Sequence, residues 1–330
     1  MKIAFFEMED WEKEYIKKKL KGNILFFNDE LNEKNINQVK DFDILSVFIY
    51  SKINSNTLNN LKKLKLIATR STGYDHIDIE ECRKRKIAVA NVPYYGENTV
   101  AEHTFALILS LSRKIHRAYE KTVRGDFSLE GLRGFDLKGR TIGIIGAGHI
   151  GLHVIRIANG FEMNVLAYDV KRDAKLAKKF GFKYASLNEL LKNSDIISLH
   201  APYNKATHHL INKNNIKLIK KGSILINTAR GSLVETEALV EALDRGILSG
   251  AGLDVLEEEQ LVKEESELLS KNYPIETLKT VIQNHTLLKR ENVIITPHNA
   301  FNSIEALQRI LDTTIENIKS FMKGKIINKV

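Results

Sequence analysis

The sequence predicts an α/β protein built from two doubly wound parallel sheets. Short β-type runs alternate with longer helical patterns from end to end, and strand, helix, strand in repetition implies a parallel sheet covered on both faces. The runs fall into two series separated by one long apolar helical pattern. A length of 330 residues suits two domains, each long enough to bury its own core.

The first series comprises residues 2–6, 24–27, 44–48, 66–69 and 88–92; the second comprises 141–145, 164–168, 196–200, 223–227, 252–255 and 293–296. Between them, residues 99–122 read as one helix. Val100, Ala101, Phe105, Ala106, Leu107, Leu109 and Leu111 make its first half apolar nearly all round, and a basic tail begins at Arg113. Such a helix is expected to be buried, as the spine joining the two domains. Residues 303–323 form an amphipathic pattern with no strand series after it to pack into, so the simplest arrangement returns it to the first domain. That domain is then discontinuous, 1–98 and 297–330, with 99–296 inserted. Residues 263–291 are polar, Leu-punctuated and longer than an ordinary connection, and are expected to contain helices forming an insertion.

Composition narrows the function classes. Lys+Arg 50 against Asp+Glu 41 leaves a net charge of +9, but the basic clusters are interleaved with acids and apolar residues, which reads as solvated surface and disfavours nucleic acid. Cys82, the single cysteine, excludes a disulfide framework or a multi-Cys zinc or iron–sulfur site, and no metal is expected; a reducing cytoplasm is the natural compartment. A strand-like start and no apolar run approaching membrane length predict neither an export signal nor a membrane span.

The clearest motif follows strand 141–145. Gly146-Ala-Gly148-His-Ile-Gly151 opens at once into an apolar-periodic helix. In that context the first glycine permits a tight turn, the second lets backbone approach a pyrophosphate, and the third packs helix on strand. The helix amino terminus supplies N–H groups and a positive dipole end to phosphates. The next strand ends in Asp169, where a carboxylate accepts from ribose hydroxyls and repels a 2′-phosphate. These features predict a Rossmann domain that binds NAD in preference to NADP, with Lys171 and Arg172 close enough to soften the discrimination.

Polar residues gather where loops leave the carboxyl ends of the second series, the ligand-binding edge of an open α/β sheet. Strand 223–227 runs into Arg230, strand 252–255 into Glu257, Glu258 and Glu259, and strand 293–296 into His298. An arginine fork, a carboxylate and an imidazole form a usable set for a substrate carboxylate and a proton transfer. The pattern by itself leaves open which glutamate belongs to the set, and whether the run is only a solvated helix start.

In order and spacing, the glycine motif with Asp169, Asn227-Thr-Ala-Arg-Gly231, Gly252-Leu-Asp-Val255 and Thr296-Pro-His298 resemble the D-specific 2-hydroxyacid dehydrogenase family, and within it the D-lactate branch. Arg70-Ser-Thr-Gly-Tyr-Asp-His-Ile-Asp78, Asn91-Val-Pro-Tyr-Tyr95 and Val100-Ala-Glu-His103 extend the match over almost the whole chain. The resemblance implies a Rossmann NAD-binding domain inserted in a flavodoxin-like substrate domain, with a hinge near Asn98 and Pro297. It implies Arg230, Glu259 and His298 as catalytic residues. It places NAD contacts at Gly146, Gly148, His149, Ile150, Gly151, Asp169, Ala201, Pro202, Thr207, Thr228, Ala229 and Asp254. The substrate carboxylate falls to the amides of Thr72 and Gly73, with Tyr95. It further implies reversible hydride transfer between NADH and a small 2-oxo acid, pyruvate foremost, in a homodimer. Gly96-Glu97 and Asn299-Ala-Phe301-Asn302 depart from the common family pattern at positions bearing on the substrate's side chain. The rival readings are a 2-hydroxyisocaproate, phenyllactate, or glyoxylate and hydroxypyruvate enzyme, and a corepressor-like NADH sensor, against which the intact Arg230, Glu259 and His298 argue.

Overall fold

Ile44, Leu45 and Val47 in one strand and Leu66, Ile67 and Ala68 in its neighbour are all fully buried, the double-sided burial a covered parallel sheet requires. The computed structural model describes residues 1–263 and 273–330 and divides into two units, Met1–Tyr95 with Ser303–Val330, and Gly96–Asn302.

The first unit holds a parallel sheet of β1 (Lys2–Phe5), β2 (Asn23–Phe26), β3 (Ile44–Val47), β4 (Leu66–Thr69) and β5 (Ala88–Ala90), in the order β2-β1-β3-β4-β5. Side chains alternate between its faces. Ala4, Leu45, Val47, Ile67 and Val89 pack with Leu58, Leu61 and Cys82 on one side, and Ile3, Phe5, Ile44, Leu66 and Ala68 pack with Ile16 on the other. The helix Ile304–Met322, capped by the Ser303 hydroxyl, adds Leu311, Ile315 and Ile318 to that second core. The late amphipathic helix therefore does return to the first sheet.

The second unit is a parallel sheet of β6 (Thr141–Ile145), β7 (Asn164–Tyr168), β8 (Lys183–Tyr184), β9 (Ile196–Leu199), β10 (Ser223–Asn227), β11 (Leu248–Leu253) and β12 (Val293–Ile295). Their order is β12-β11-β10-β9-β6-β7-β8. Ile142, Ile144, Ile196, Ile224 and Ile226 share one core with Val154 and Ile155 of the helix His149–Gly160; Ile197, Leu199, Leu225 and Leu253 share the opposite core with Leu190, Leu239 and Ala242.

Several expectations need correction. The spine is two helices, Glu97–Arg113 and Ile115–Val123, broken at Lys114 with φ 53 and ψ 38. The first delivers Ala101, Phe105, Leu107, Ile108 and Leu111 to the core, whereas the second buries none of its residues. The Ser112 carbonyl accepts from Phe135 N–H at 2.9 Å, drawing the chain out of the helical path there. β11 begins at Leu248, not at 252, because Gly250 and Ala251 lack the bulky β signature yet pair with Ile224 and Leu225 of β10, past a register shift at Ser249. The short β8 carries no periodic signal. The units part at Tyr95/Gly96 and Asn302/Ser303, not at 98/99 and 296/297, since Gly96 caps the spine helix and residues 298–300 are tied to Asp254 by their backbone N–H groups. Of the expected insertion, the helix Ile275–Leu288 is described; residues 264–272 lie outside the described residues.

Candidate active site

Register sets the frame of the site. Tyr168 pairs with Ile145, Ile145 with Leu199, Leu199 with Asn227, Asn227 with Leu253, and Leu253 with Ile295. The six strands therefore end level, and Asp169, Gly146, His200, Thr228, Asp254 and Thr296 leave the sheet along one line. β6 and β9 are neighbours, and the helix after β6 packs on one face while the connection after β9 packs on the other through Ile211, Ile216 and Ile219, which makes their junction the crevice where such sheets bind ligands.

At that junction Gly146 has φ +98, and a Cβ there would lie 2.7 Å from Ala201 N. A Cβ on Gly151 would lie 2.0 Å from the Gly146 carbonyl oxygen, whereas one on Gly148 would meet nothing within 4 Å, so the middle glycine faces open space. Gly148 N-caps the helix that starts at His149 and runs through Ile150, and no carbonyl within that helix reaches its first-turn N–H groups. Asp169 braces the turn: Oδ2 accepts from Ala147 N–H and Oδ1 from Lys171 N–H, both at 2.9 Å, leaving each oxygen a second lone pair. Across the crevice, Thr207 Oγ1 donates to the Pro202 carbonyl at 2.8 Å, closing the turn after Ala201. Thr228 is buried with its hydroxyl 3.0 Å from that of Thr104, and Ala229 N–H donates to Asn227 Oδ1 at 3.1 Å. His200 carries a feature the sequence reading passed over. The residue is half-buried with its Nδ1 shielded from solvent, Nε2 lies 2.8 Å from Ser198 Oγ, and desolvation lowers its pKa to about 3, keeping it neutral.

The polar set is built on β10, β11 and β12. Asn227 Nδ2 donates to the Arg230 carbonyl at 2.8 Å and Arg230 Nη1 donates to the Ala229 carbonyl at 2.8 Å, so the turn and the guanidinium are both braced. Asp254, 1% exposed, is the keystone of the neighbouring loop. Its carbonyl accepts from His298 N–H at 2.8 Å, Oδ1 accepts from Thr296 Oγ1 and from Asn299 N–H at 2.7 Å, and Oδ2 accepts from Ala300 N–H at 2.9 Å. His103 Nε2 stands 3.1 Å from Thr296 Oγ1 and 3.5 Å from Asp254 Oδ1.

The three glutamates separate in space. Glu257 bonds His209 and Thr236, Glu258 is exposed with φ 53, and Glu259 puts Oε2 3.3 Å from His298 Nδ1. His298 itself has φ 55, a left-handed backbone that aims its ring out of the Thr296–Pro297 turn. In the first unit, Thr72 Oγ1 donates to the Val92 carbonyl at 2.8 Å, the Gly73 carbonyl accepts from Ser71 Oγ at 2.6 Å, and the Tyr95 carbonyl accepts from Arg309.

Comparison with known proteins agrees with this geometry. The model of the D-isomer specific 2-hydroxyacid dehydrogenase NAD binding domain matches residues 105–300. A 2-hydroxyacid dehydrogenase homolog of Haemophilus influenzae is 35% identical over 100% of this chain and 99% of its own. The chain belongs to the D-isomer specific 2-hydroxyacid dehydrogenase family. A glyoxylate reductase of Pyrococcus furiosus is 34% identical over 97% of this chain and 88% of its own. Among solved structures, the D-lactate dehydrogenase from Aquifex aeolicus complexed with NAD and lactic acid superposes with a TM-score of 0.88 at 39% identity, covering 98% of this chain and 96% of that one. The Gly96–Asn302 unit is thus the NAD-binding domain of a 2-hydroxyacid dehydrogenase, and its open glycine turn and braced Asp169 fit that cofactor.

Asn227 and His103 stood in the sequence motifs without a role of their own, Glu257 only as one of three glutamates, and His200 and His209 were not singled out from the sequence. An asparagine at a strand end, two residues before a backbone N–H it accepts from, was a detectable sign for Asn227; the others depend on distant segments meeting.

Proposed function

We propose that this dehydrogenase interconverts pyruvate and D-lactate with NAD, using His298 as the acid and base. The observation that carries the proposal is the Glu259 Oε2 to His298 Nδ1 approach of 3.3 Å, at the same sheet edge as the cofactor turn. With Nδ1 turned to Glu259, Nε2 is the nitrogen left to hold the transferable proton. Bound NADH supplies hydride to the keto carbon. His298 then donates its proton to the developing alkoxide, and in the reverse direction neutral His298 removes it. Glu259 orients the ring and stabilises the imidazolium. Arg230 holds charge against the growing negative oxygen or the carboxylate, as a planar fork with several donors. The substrate carboxylate is assigned to the amides of Thr72 and Gly73, with Tyr95. Cofactor contacts are assigned to the glycine turn, Asp169, Ala201, Pro202, Thr207, Thr228, Ala229 and Asp254, and the Asp169 carboxylate favours NAD over NADP.

D-lactate is preferred because the 39%-identical Aquifex structure contains lactic acid. The 34%-identical glyoxylate reductase makes glyoxylate the second reading. NADH oxidation with pyruvate, glyoxylate, hydroxypyruvate and bulkier 2-oxo acids separates them: pyruvate is expected to give the highest kcat/KM, and a higher value for glyoxylate would overturn the D-lactate assignment while leaving the family intact. His298→Gln is expected to lower turnover in both directions at least about a hundredfold. In Glu259→Gln, the pH midpoint of kcat/KM for reduction is expected to move down, because imidazolium loses its negative partner; an unmoved or raised midpoint would remove Glu259 from this role.

A homodimer is the proposed assembly. Tyr119, Val123, Phe127 and Leu129 are between 67% and 83% exposed within one short stretch of the NAD-binding unit, apolar side chains that a second copy could cover. Sedimentation of wild type and Phe127→Glu tests it: a wild-type monomer would refute the assembly.

A further inference from the structure

The proposed chemistry needs Glu259 held steadily against His298, and Glu259 stands at the start of the helix described from Glu259 to Lys263. The direction from which Glu259 approaches is set by the segment that leads into it, and that segment carries an anchor of its own. That anchor lies two residues upstream. The Glu257 carboxylate is 14% exposed; its Oε1 is 2.6 Å from His209 Nε2, and Oε2 accepts from Thr236 Oγ1 at 2.8 Å and from Thr236 N–H at 3.3 Å. Thr236 begins the helix Thr236–Asp244, so the carboxylate also sits at a positive dipole end. The Glu257 carbonyl accepts from Asn284 Nδ2 at 2.6 Å, and Asn284 is fully buried on the helix Ile275–Leu288. One residue earlier, Leu256 lies so close to Gly231 that a Cβ on that glycine would be 2.1 Å from its carbonyl carbon, which seats the same segment beside Arg230. Glu258, in the left-handed region, then turns the chain, so that Glu257 points to His209 and Glu259 meets His298.

We propose that the Glu257–His209 pair is the positioning device for the acid–base couple, fixing the segment from which Glu259 reaches His298. His209 is itself held by its N–H, which donates to the Ser232 carbonyl at 2.8 Å in the turn that follows Arg230. A single pair thus ties the loop after β9, the Arg230 turn and the glutamate segment together. None of Glu257, His209 and Thr236 is assigned to substrate or cofactor; they act through Glu259. The inference rests on His298 being the acid–base group.

The test compares Glu257→Ala, Glu257→Gln and the double variant Glu257→Ala/Glu259→Gln in the intact protein, reading kcat, its pH profile and the thermal midpoint. Displacement of a catalytic partner by about 1 Å costs up to about a hundredfold, so Glu257→Ala is expected to lose roughly tenfold to a hundredfold in kcat and to shift the reduction midpoint in the same direction as Glu259→Gln. Glu257→Gln, which keeps the shape and bonds both partners through its amide, is expected to restore most of the rate. In the Glu259→Gln background the Glu257→Ala change should cost no more than about twofold further, because both act through one contact. A lowered thermal midpoint with an unmoved profile and rate, or losses that multiply in the double variant, would overturn the inference. Should Glu257→Ala not fold, His209→Asn is read by the same criteria. Near-normal turnover in His298→Gln would overturn the functional reading itself; a crippled His298→Gln alongside an unaltered Glu257→Ala overturns the positioning role alone.

Discussion

Exchange of Asp254 for Asn tests whether the His298 loop is held by a carboxylate that gathers donors. Oδ1 accepts from Thr296 Oγ1 and Asn299 N–H, and Oδ2 from Ala300 N–H at 2.9 Å, with Asp254 1% and Ala300 4% exposed. The amide of Asp254→Asn offers one oxygen, so whichever way it turns, its NH2 faces a backbone N–H. One hydrogen bond to a charged acceptor is lost, about 1.5–3 kcal/mol, and a buried donor is stranded. A loss of about 2 kcal/mol in loop closure corresponds to about thirtyfold faster opening, at about 1.4 kcal/mol per tenfold. Hydrogen exchange on peptides covering 296–302 should accelerate by that order, while peptides of the first unit stay unchanged. Turnover should fall in both directions, since the His298 N–H bond to the Asp254 carbonyl at 2.8 Å survives but the loop around it loosens. Asp254→Ala, which removes every side-chain acceptor, should be worse in both readouts. Wild-type exchange at Asn299 and Ala300 in Asp254→Asn would refute the reasoning.

Asp169→Ser should raise the NADPH to NADH ratio of kcat/KM by at least about tenfold, because the carboxylate that repels a 2′-phosphate is gone; an unchanged ratio would mean the ribose is read elsewhere. Arg230→Lys should lower kcat/KM for the 2-oxo acid by roughly two orders of magnitude while fluorescence titration shows NADH affinity nearly intact, since lysine keeps the charge and loses the planar fork; an equal collapse of NADH affinity would make Arg230 a cofactor or folding residue. His200, held near a pKa of about 3 by burial, binds no proton in the folded state across the range where the unfolded chain, with its ordinary value near about 6.5, takes one up. Stability is therefore full above about pH 6.5 and is lost as pH falls toward 3, by up to about 1.4 kcal/mol per pH unit. Denaturation of His200→Asn from neutral pH down to about pH 5 should show a shallower slope than wild type, and parallel slopes would exclude this group.

What the sequence by itself determined is local in origin. The strand series were legible because double-sided burial demands unbroken apolar runs, and the cofactor turn because its three glycines meet steric demands within a few residues, as at Gly151 pressed against the Gly146 carbonyl. The last helix showed its amphipathic pattern in the sequence, and Leu311, Ile315 and Ile318 of that pattern join the core of the first sheet. Tertiary structure decided the rest. Three consecutive glutamates are equivalent as a pattern; the level ends of β11 and β12 and the left-handed turn at Glu258 send Glu259 to His298 and leave Glu257 to His209. The break at Lys114 and the early start of β11 depend on partners, Phe135 and Ser223, that no periodicity announces. Asp254 reads in the sequence as one polar residue after a strand, and only folding brings it the N–H groups of Asn299 and Ala300. Residue type and spacing specify what a side chain can do; which partner it meets is settled by strand register and loop closure, which are long-range.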